Sequence, residues 1–215
     1  MKLTYTIQVC NESKELYSLL NFLSKTIDDE DELNVVVDNE RCTERVEGVL
    51  EIFKSRINIF KKSFERFGKN DNFHKDMANG EYIFGMDADE MPQESLIKNI
   101  KKIIKDTDAE IIAVPRINIH PGSTEEFIKA SGFQVNDVGW INWPDYQTRI
   151  YKKCEHISWT DELHTKLTGT ERVVGIQADP KLALWHIKSV EKQESRWTSG
   201  DFNKVQGHKY YESLM

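Results

Sequence analysis

An α/β fold, with a mostly parallel sheet covered by helices on both faces, is what this 215-residue sequence predicts. Three observations carry that reading. Short apolar runs rich in β-formers alternate with longer stretches whose apolar residues recur at helical spacing. The alternation continues from the N-terminus to about residue 115. Acidic residues stand directly after several of the apolar runs, which is where ligands bind in sheets of this kind.

Leu3 to Val9 alternates as a strand, and Leu16, Leu19, Leu20 and Leu23 mark the first helix, with Ser13 available as its N-cap. Leu33 to Val37, "LNVVV", is the continuous apolar run of a buried parallel strand, followed by a helical stripe of Val46, Val49, Leu50 and Phe53. Ile57 to Phe60 offers a third strand and Asp71 to Ala78 a short helix. Tyr82 to Met86 is a fourth strand, Leu96, Ile97, Ile100, Ile103 and Ile104 a fourth helix, and Ile111 to Val114 a fifth strand. From 116 to 145 the rhythm breaks, and glycines, prolines and two tryptophans suggest an irregular region that shapes a pocket. One domain over 1–215 is expected: a ligand-binding half over 1–115, a second half over 116–190 and a tail over 191–215.

Composition narrows the function. A net charge of −7 argues against a chain that grips nucleic acid over a broad surface, because neutralising phosphates needs clustered Lys and Arg. The N-terminal segment lacks the pattern of a signal peptide, and no run approaches the roughly 20 apolar residues of a membrane span, so a cytoplasmic protein is expected. Cys10, Cys42 and Cys154 lack C-x-x-C spacing, which suggests neither a disulfide framework nor a zinc site.

The chemistry concentrates in "GEYIFGMDADEMPQESL", residues 80–96, where Asp87, Asp89 and Glu90 follow an apolar strand. Two carboxylates one residue apart repel each other and lose solvation if buried, so something must stabilise them. A divalent cation does so, since Mg²⁺ and Mn²⁺ prefer oxygen ligands and are held by one or two carboxylates together with substrate phosphates. The plainer alternative is that these acids solvate a loop and favour the N-terminus of the helix beginning near Pro92. Asn11/Glu12 after the first strand and Asp38 after the second fall at the same end of the sheet and favour the metal-diphosphate reading.

"TIQVCNESKELYSLL", "NVVVDNERCTERV", "NDNFHKDMANGEYIFGMDADEMP" and "PDYQTRIYKK", in that order, resemble family 2 glycosyltransferases of the GT-A fold, and within them the compact lipopolysaccharide-core-type enzymes. The likeness covers roughly residues 3 to 190. It implies that Asn11 and Glu12 line the nucleotide pocket, that Asp38 recognises the base, and that Asn72 faces the donor. Asp87 would meet the ribose or the metal, and Asp89 would coordinate the metal on the diphosphate. Asp145, followed by the basic position Arg149, falls at the place of the catalytic base. His186, or the histidine of "DELHTKLTG", His164, would complete the metal site. The implied activity is inverting transfer from a nucleoside diphosphate sugar, by default a UDP-sugar, with Mn²⁺ or Mg²⁺, to a saccharide or glycolipid hydroxyl. Other acceptors, modified nucleic acid included, stay open.

The sequence departs from the family in the bulky "NERCTER" after Asp38 and in Asp71, where an arginine commonly stands. Those departures keep a second reading in view, a degenerate domain that binds a nucleotide sugar or a protein without turnover. A phosphohydrolase of the haloacid dehalogenase type fits less well: Met91 stands where Thr or Val is usual, and the motif lies far from the N-terminus.

Overall fold

The computed structural model describes residues 1–160 and 165–188. His164 and the tail over 191–215 lie outside the described residues. The elements are β1 (Leu3–Val9), α1 (Ser13–Thr26), β2 (Glu32–Asp38), α2 (Glu44–Phe53), β3 (Asn58–Lys62), α3 (Phe67–Met77), β4 (Tyr82–Asp87), β5 (Glu90–Pro92) and α4 (Glu94–Thr107). They continue with β6 (Ile111–Ile119), α5 (Glu125–Ala130), β7 (Ile141–Lys152), β8 (Ser158–Trp159), β9 (Leu167–Thr168), β10 (Val173–Gly175) and β11 (Leu184–Ile187).

The main sheet runs β3-β2-β1-β4-β7-β6-β11-β5, with β10 also paired to β6. β3, β2, β1 and β4 are mutually parallel, whereas β7 is antiparallel to both β4 and β6. The carboxyl ends of β1, β2, β4, β6 and β11 therefore share one end of the sheet with the beginning of β7.

β1, β2 and β4 are buried along most of their length, as cover on both faces demands, whereas β3 at the sheet edge is largely exposed. β2 is buried along its whole length. α1 covers the sheet with Leu16, Leu19, Leu20 and Leu23, all completely buried, and truncating any one would cost roughly 2–5 kcal/mol. Gly80, before β4, allows a close approach to β1: a Cβ there would lie 2.6 Å from the Thr4 amide nitrogen. Among the described residues no helix is long and apolar enough to cross a membrane.

Three local expectations are corrected. Ser13 is not the cap of α1 but its first residue, with Glu12 at the cap position, and no side chain caps the helix. α3 begins at Phe67, ahead of Asp71, because its buried stripe is Gly68, Asn70 and His74, which leaves no apolar period to read. The 116–145 region is less irregular than expected: β6 runs on to Ile119, α5 occupies Glu125–Ala130, and β7 already includes Asp145. Polar residues alternate there because one face of these strands lines a site.

Candidate active site

Strand register assembles the site. Arg116 and Asn118 are two apart on β6 and share a face. Arg116 is the register partner of Asp145 on β7, and Asn118 that of His186 on β11. His186 in turn pairs with Glu90 on β5. Each pairing brings side chains from distant parts of the chain to one patch at the end of the sheet. Arg149 is skipped in the β6–β7 register, since Ile150 opposes Ile112 and Thr148 opposes Ala113. Such irregularities re-aim side chains next to functional sites.

The Asp87-Ala88-Asp89 turn is anchored from both sides. The Ala88 amide continues the ladder by donating to the Gln8 carbonyl at 3.1 Å, and the Asp87 amide donates to Glu90 Oε2 at 3.2 Å. Glu90, its side chain fully buried, accepts at Oε1 from Arg116 (2.9 Å) and Arg149 (2.5 Å). Arg149 also donates to Asp87 Oδ2 at 2.8 Å. Arg116 donates through Nε and Nη2 to Asp145 Oδ2 at 2.9 and 2.7 Å. The outcome is an alternating ladder, Asp145–Arg116–Glu90–Arg149–Asp87, that runs from the expected base to the expected metal ligand.

A second path closes the circuit. Asn118 Nδ2 donates to Asp145 Oδ2 at 2.8 Å, which turns its amide oxygen toward His186 Nδ1 at 2.8 Å. Nδ1 then carries the proton and donates, so the Nε2 lone pair is directed elsewhere. Nε2 lies 3.8 Å from Asp89 Oδ2. Asp145 is thus hydrogen-bonded by one path to Asp87 and by another to His186, whose Nε2 faces Asp89.

Charge follows from these contacts. Burial pushes the Asp87 carboxyl up, but the Arg149 guanidinium outweighs it and holds the group below the usual carboxylate range. Asp145 behaves alike: burial opposes ionisation, while Arg116 and the hydrogen bonds from Asn118, Arg116 and Gln147 prevail. Burial works against the Arg149 charge, yet Glu90 and Asp87 raise its pKa further. Both candidate carboxylates are therefore ionised at neutral pH.

The other expected residues sit nearby in different states. Asp38 is buried at the end of β2, and its Oδ1 accepts from the Glu40 amide at 3.1 Å. Glu12 turns back to accept from the amides of Cys10 and Asn11, both at 3.0 Å, leaving Asn11 exposed beside it. Asn72 is placed apart from the acidic patch: its amide donates to the Trp159 carbonyl at 2.9 Å and its oxygen accepts from the Trp159 amide at 3.0 Å, so it clasps β8. A small cavity of about 30 Å³, room for roughly one water, lies under α3 against Thr6, Asp71, His74, Asp87 and Arg149. Burial and then Asp87 push the Asp71 carboxyl up to about 7, and burial brings His74 down to about 4.

Glu90, Arg116 and Asn118 have functional positions that the sequence reading did not assign. Glu90 was visible in the acidic run, and the alternation of Arg116 and Asn118 past Val114 was the available sign of a longer strand.

The α/β architecture, a mostly parallel central sheet flanked by helices, is that of the GT-A class of glycosyltransferase fold. Solved structures agree. S. aureus TarS matches with a TM-score of 0.58 at 17% identity, over 96% of this chain and 41% of that one. TarS 1-349 in complex with UDP-GlcNAc matches with a TM-score of 0.60 at 16% identity, over 100% of this chain and 71% of that one. The mannosyltransferase PcManGT from Pyrobaculum calidifontis, in complex with GDP-Man and Mn²⁺, gives 0.58 at 11% identity, over 97% and 69%. The chain thus spans about two fifths of TarS. No curated protein sequence matches it. The family profile "Glycosyl transferase family 2" matches residues 6–165, and the chain belongs to that family.

Proposed function

We propose that the protein is a metal-dependent inverting glycosyltransferase that moves a sugar from a nucleoside diphosphate sugar to an acceptor hydroxyl. The observation that carries this is that hydrogen-bonded paths from Asp145 lead on one side to Asp87 and on the other to His186, whose Nε2 stands 3.8 Å from Asp89 Oδ2. Asp89 Oδ2 and His186 Nε2, 3.8 Å apart with the Nδ1 proton committed to Asn118, offer an O, N pair of the kind Mn²⁺ or Mg²⁺ takes, and Asp87 offers a further carboxylate one residue from Asp89. Such a cation supplies neutralisation of the charge that develops on a departing diphosphate.

The chain's own residues do the rest. Arg149 holds Asp87, and Glu90 holds Arg149, so the first carboxylate of the pair keeps its orientation without reorganising. Asp145 Oδ2 already receives three hydrogen bonds, and Oδ1 one from Gln147 at 2.9 Å. Oδ1 is therefore the oxygen that takes the acceptor's proton. The acceptor oxygen bonds to the anomeric carbon from the face opposite the diphosphate as the old bond to the diphosphate oxygen breaks, which inverts the configuration. Asn11, Glu12 and Asp38 form the nucleotide side, with Asp38 reading the base; UDP is the default, and the relatives' ligands, UDP-GlcNAc and GDP-Man, leave the base to experiment. A saccharide or glycolipid is the default acceptor, and a cytoplasmic, single-domain protein over 1–215 is part of the same reading.

Asp145→Asn and Asp89→Ala test it together. Asp145→Asn is expected to lower turnover roughly 10²- to 10⁴-fold with donor affinity nearly intact, and Asp89→Ala to weaken Mn²⁺ and donor binding as well. Near-normal turnover by Asp145→Asn at saturating acceptor would place the base elsewhere. Donor binding that survives both Asp89→Ala and chelator would end the metal reading. Were metal and donor to bind normally with no release of nucleoside diphosphate by the wild type, the degenerate binding domain would be the better description.

A further inference from the structure

We propose that Glu110, Cys154 and His156 form a zinc site at the opposite end of the β6–β7 pair. The site is independent of the glycosyltransfer reading and uses none of its residues. Glu110 precedes β6, and Cys154 and His156 follow β7, where the Lys152 amide donates to the Glu110 carbonyl at 2.8 Å and fixes the two segments side by side. Glu110 lies six residues before Arg116, about 20 Å along the strand from the Asp145 ion pair.

The geometry is that of a tetrahedral site. One ligand atom from each residue lies within 4.8 Å of the others. His156 Nε2 is 3.5 Å from Cys154 Sγ and 3.3 Å from Glu110 Oε2. A tetrahedral Zn²⁺ with bonds of about 2.3 Å to sulfur and about 2.1 Å to nitrogen and oxygen sets its ligands roughly 3.3–3.6 Å apart. Both separations from His156 Nε2 meet that requirement.

The surroundings orient the ligands. Arg172 holds Glu110 Oε1 at 2.7 Å, which leaves Oε2 to face His156, and metal-ligating carboxylates are in turn hydrogen-bonded in this way by an outer group. A thiolate, an imidazole and a carboxylate together select zinc over Mg²⁺ or Mn²⁺, whose preference is for oxygen. On binding, the Cys154 thiol proton passes to solvent as the Zn–S bond forms, and water takes the fourth position. The C-x-x-C criterion missed the site because its third ligand is 44 residues away in sequence, since 154 − 110 = 44.

Such a site pins the segment leading to β8, whose Trp159 packs on Tyr151 with ring centroids 5.8 Å apart and is clasped by Asn72. Its role is to hold the wall of the small cavity beneath α3, which Trp159 also lines.

The test uses the full chain, stripped with chelator and kept reduced, titrated with Co²⁺ as a spectroscopic substitute for zinc. A near-ultraviolet thiolate-to-cobalt band is expected to saturate at one ion per chain and to collapse when Zn²⁺ is added. Cys154→Ser should abolish the band. His156→Ala, at an exposed position that the fold tolerates, should weaken cobalt affinity at least about tenfold. Asp89→Ala should leave the band intact. No band in the wild type, a band that persists in Cys154→Ser, or unchanged affinity in His156→Ala would each overturn the proposal. Should Cys154→Ser fail to fold by circular dichroism, the His156→Ala titration decides alone.

Discussion

On the β1–β2 side of the site, Glu12 and Asp38 are satisfied by backbone N–H groups within two residues of themselves, whereas Asp87, Glu90 and Asp145 are held by guanidinium groups 26 to 62 residues away. The first arrangement anchors each carboxylate to its own turn. The second makes five side chains interdependent, because each arginine neutralises two acids and each buried charge would be costly if left unpaired. On the proposed function, the donor's base is thus read by groups held locally, while the reacting centre sits on a framework of long-range ion pairs.

Glu90→Gln is the sharpest way to break that contrast. The change keeps the shape but removes the charge shared by Arg116 and Arg149, and stability should fall by about 3–5 kcal/mol. Glu12→Gln, on the local side, should cost about 1 kcal/mol or less. Chemical denaturation of both variants measures the difference. Equal losses would mean that the ladder is no more cooperative than a turn.

That division also decides what could be read from the sequence. β1, β2, β4, α1, α2 and α4 were legible because their apolar residues repeat at strand or helix period, and Asp38 and Asp87 stood out as acids closing apolar runs. β5 and β11, three and four residues long, carry no period, and their pairing is what sets His186 beside Glu90 and Asp89. Arg116, Asn118 and Asp145 meet only through β6–β7 register, which no spacing along the chain reports. The expected placement of His186 came from family resemblance rather than from its apolar neighbours Leu184 and Trp185.

A smaller effect comes from α3, whose Asp71 and His74 line the small cavity with Thr6, Asp87 and Arg149. Asp71 has a folded pKa of about 7, above its unfolded value, so the folded state keeps a proton that the unfolded chain has lost; stability from this group falls as pH rises from about 4 to 7. His74 has a folded pKa of about 4, below its unfolded value, so stability falls as pH drops from about 6.5 to 4. The two slopes oppose each other in one window. With chelator present, Asp71→Asn should therefore gain a stability that rises with pH over that window, and His74→Gln one that falls, each by at most about 3–4 kcal/mol. Urea midpoints at half-unit steps check it. Parallel profiles for wild type and both variants would show that neither group titrates as its burial implies.

The smallest expected change tests the local side itself. Asp38 Oδ1 is engaged with the Glu40 amide, while Oδ2 lies 3.9 Å from the largely exposed Arg41 guanidinium and retains capacity to accept a base N–H. Asp38→Asn can keep the Glu40 contact through its amide oxygen, yet it turns an acceptor toward the nucleotide into a donor. Affinity for the nucleotide that Asp38 reads should fall about tenfold, roughly 1.4 kcal/mol, with stability nearly unchanged. Calorimetry with UDP, GDP, CDP and dTDP measures it, and the loss should concentrate on one base. Asp38→Ala removes the acceptor and the turn contact together, so a larger loss there spread equally over all four nucleotides would assign Asp38 to the turn rather than to the base. Because its partners are local, neither substitution should alter the Asp145→Asn turnover defect, and a change in that defect would show the two sides to be coupled after all.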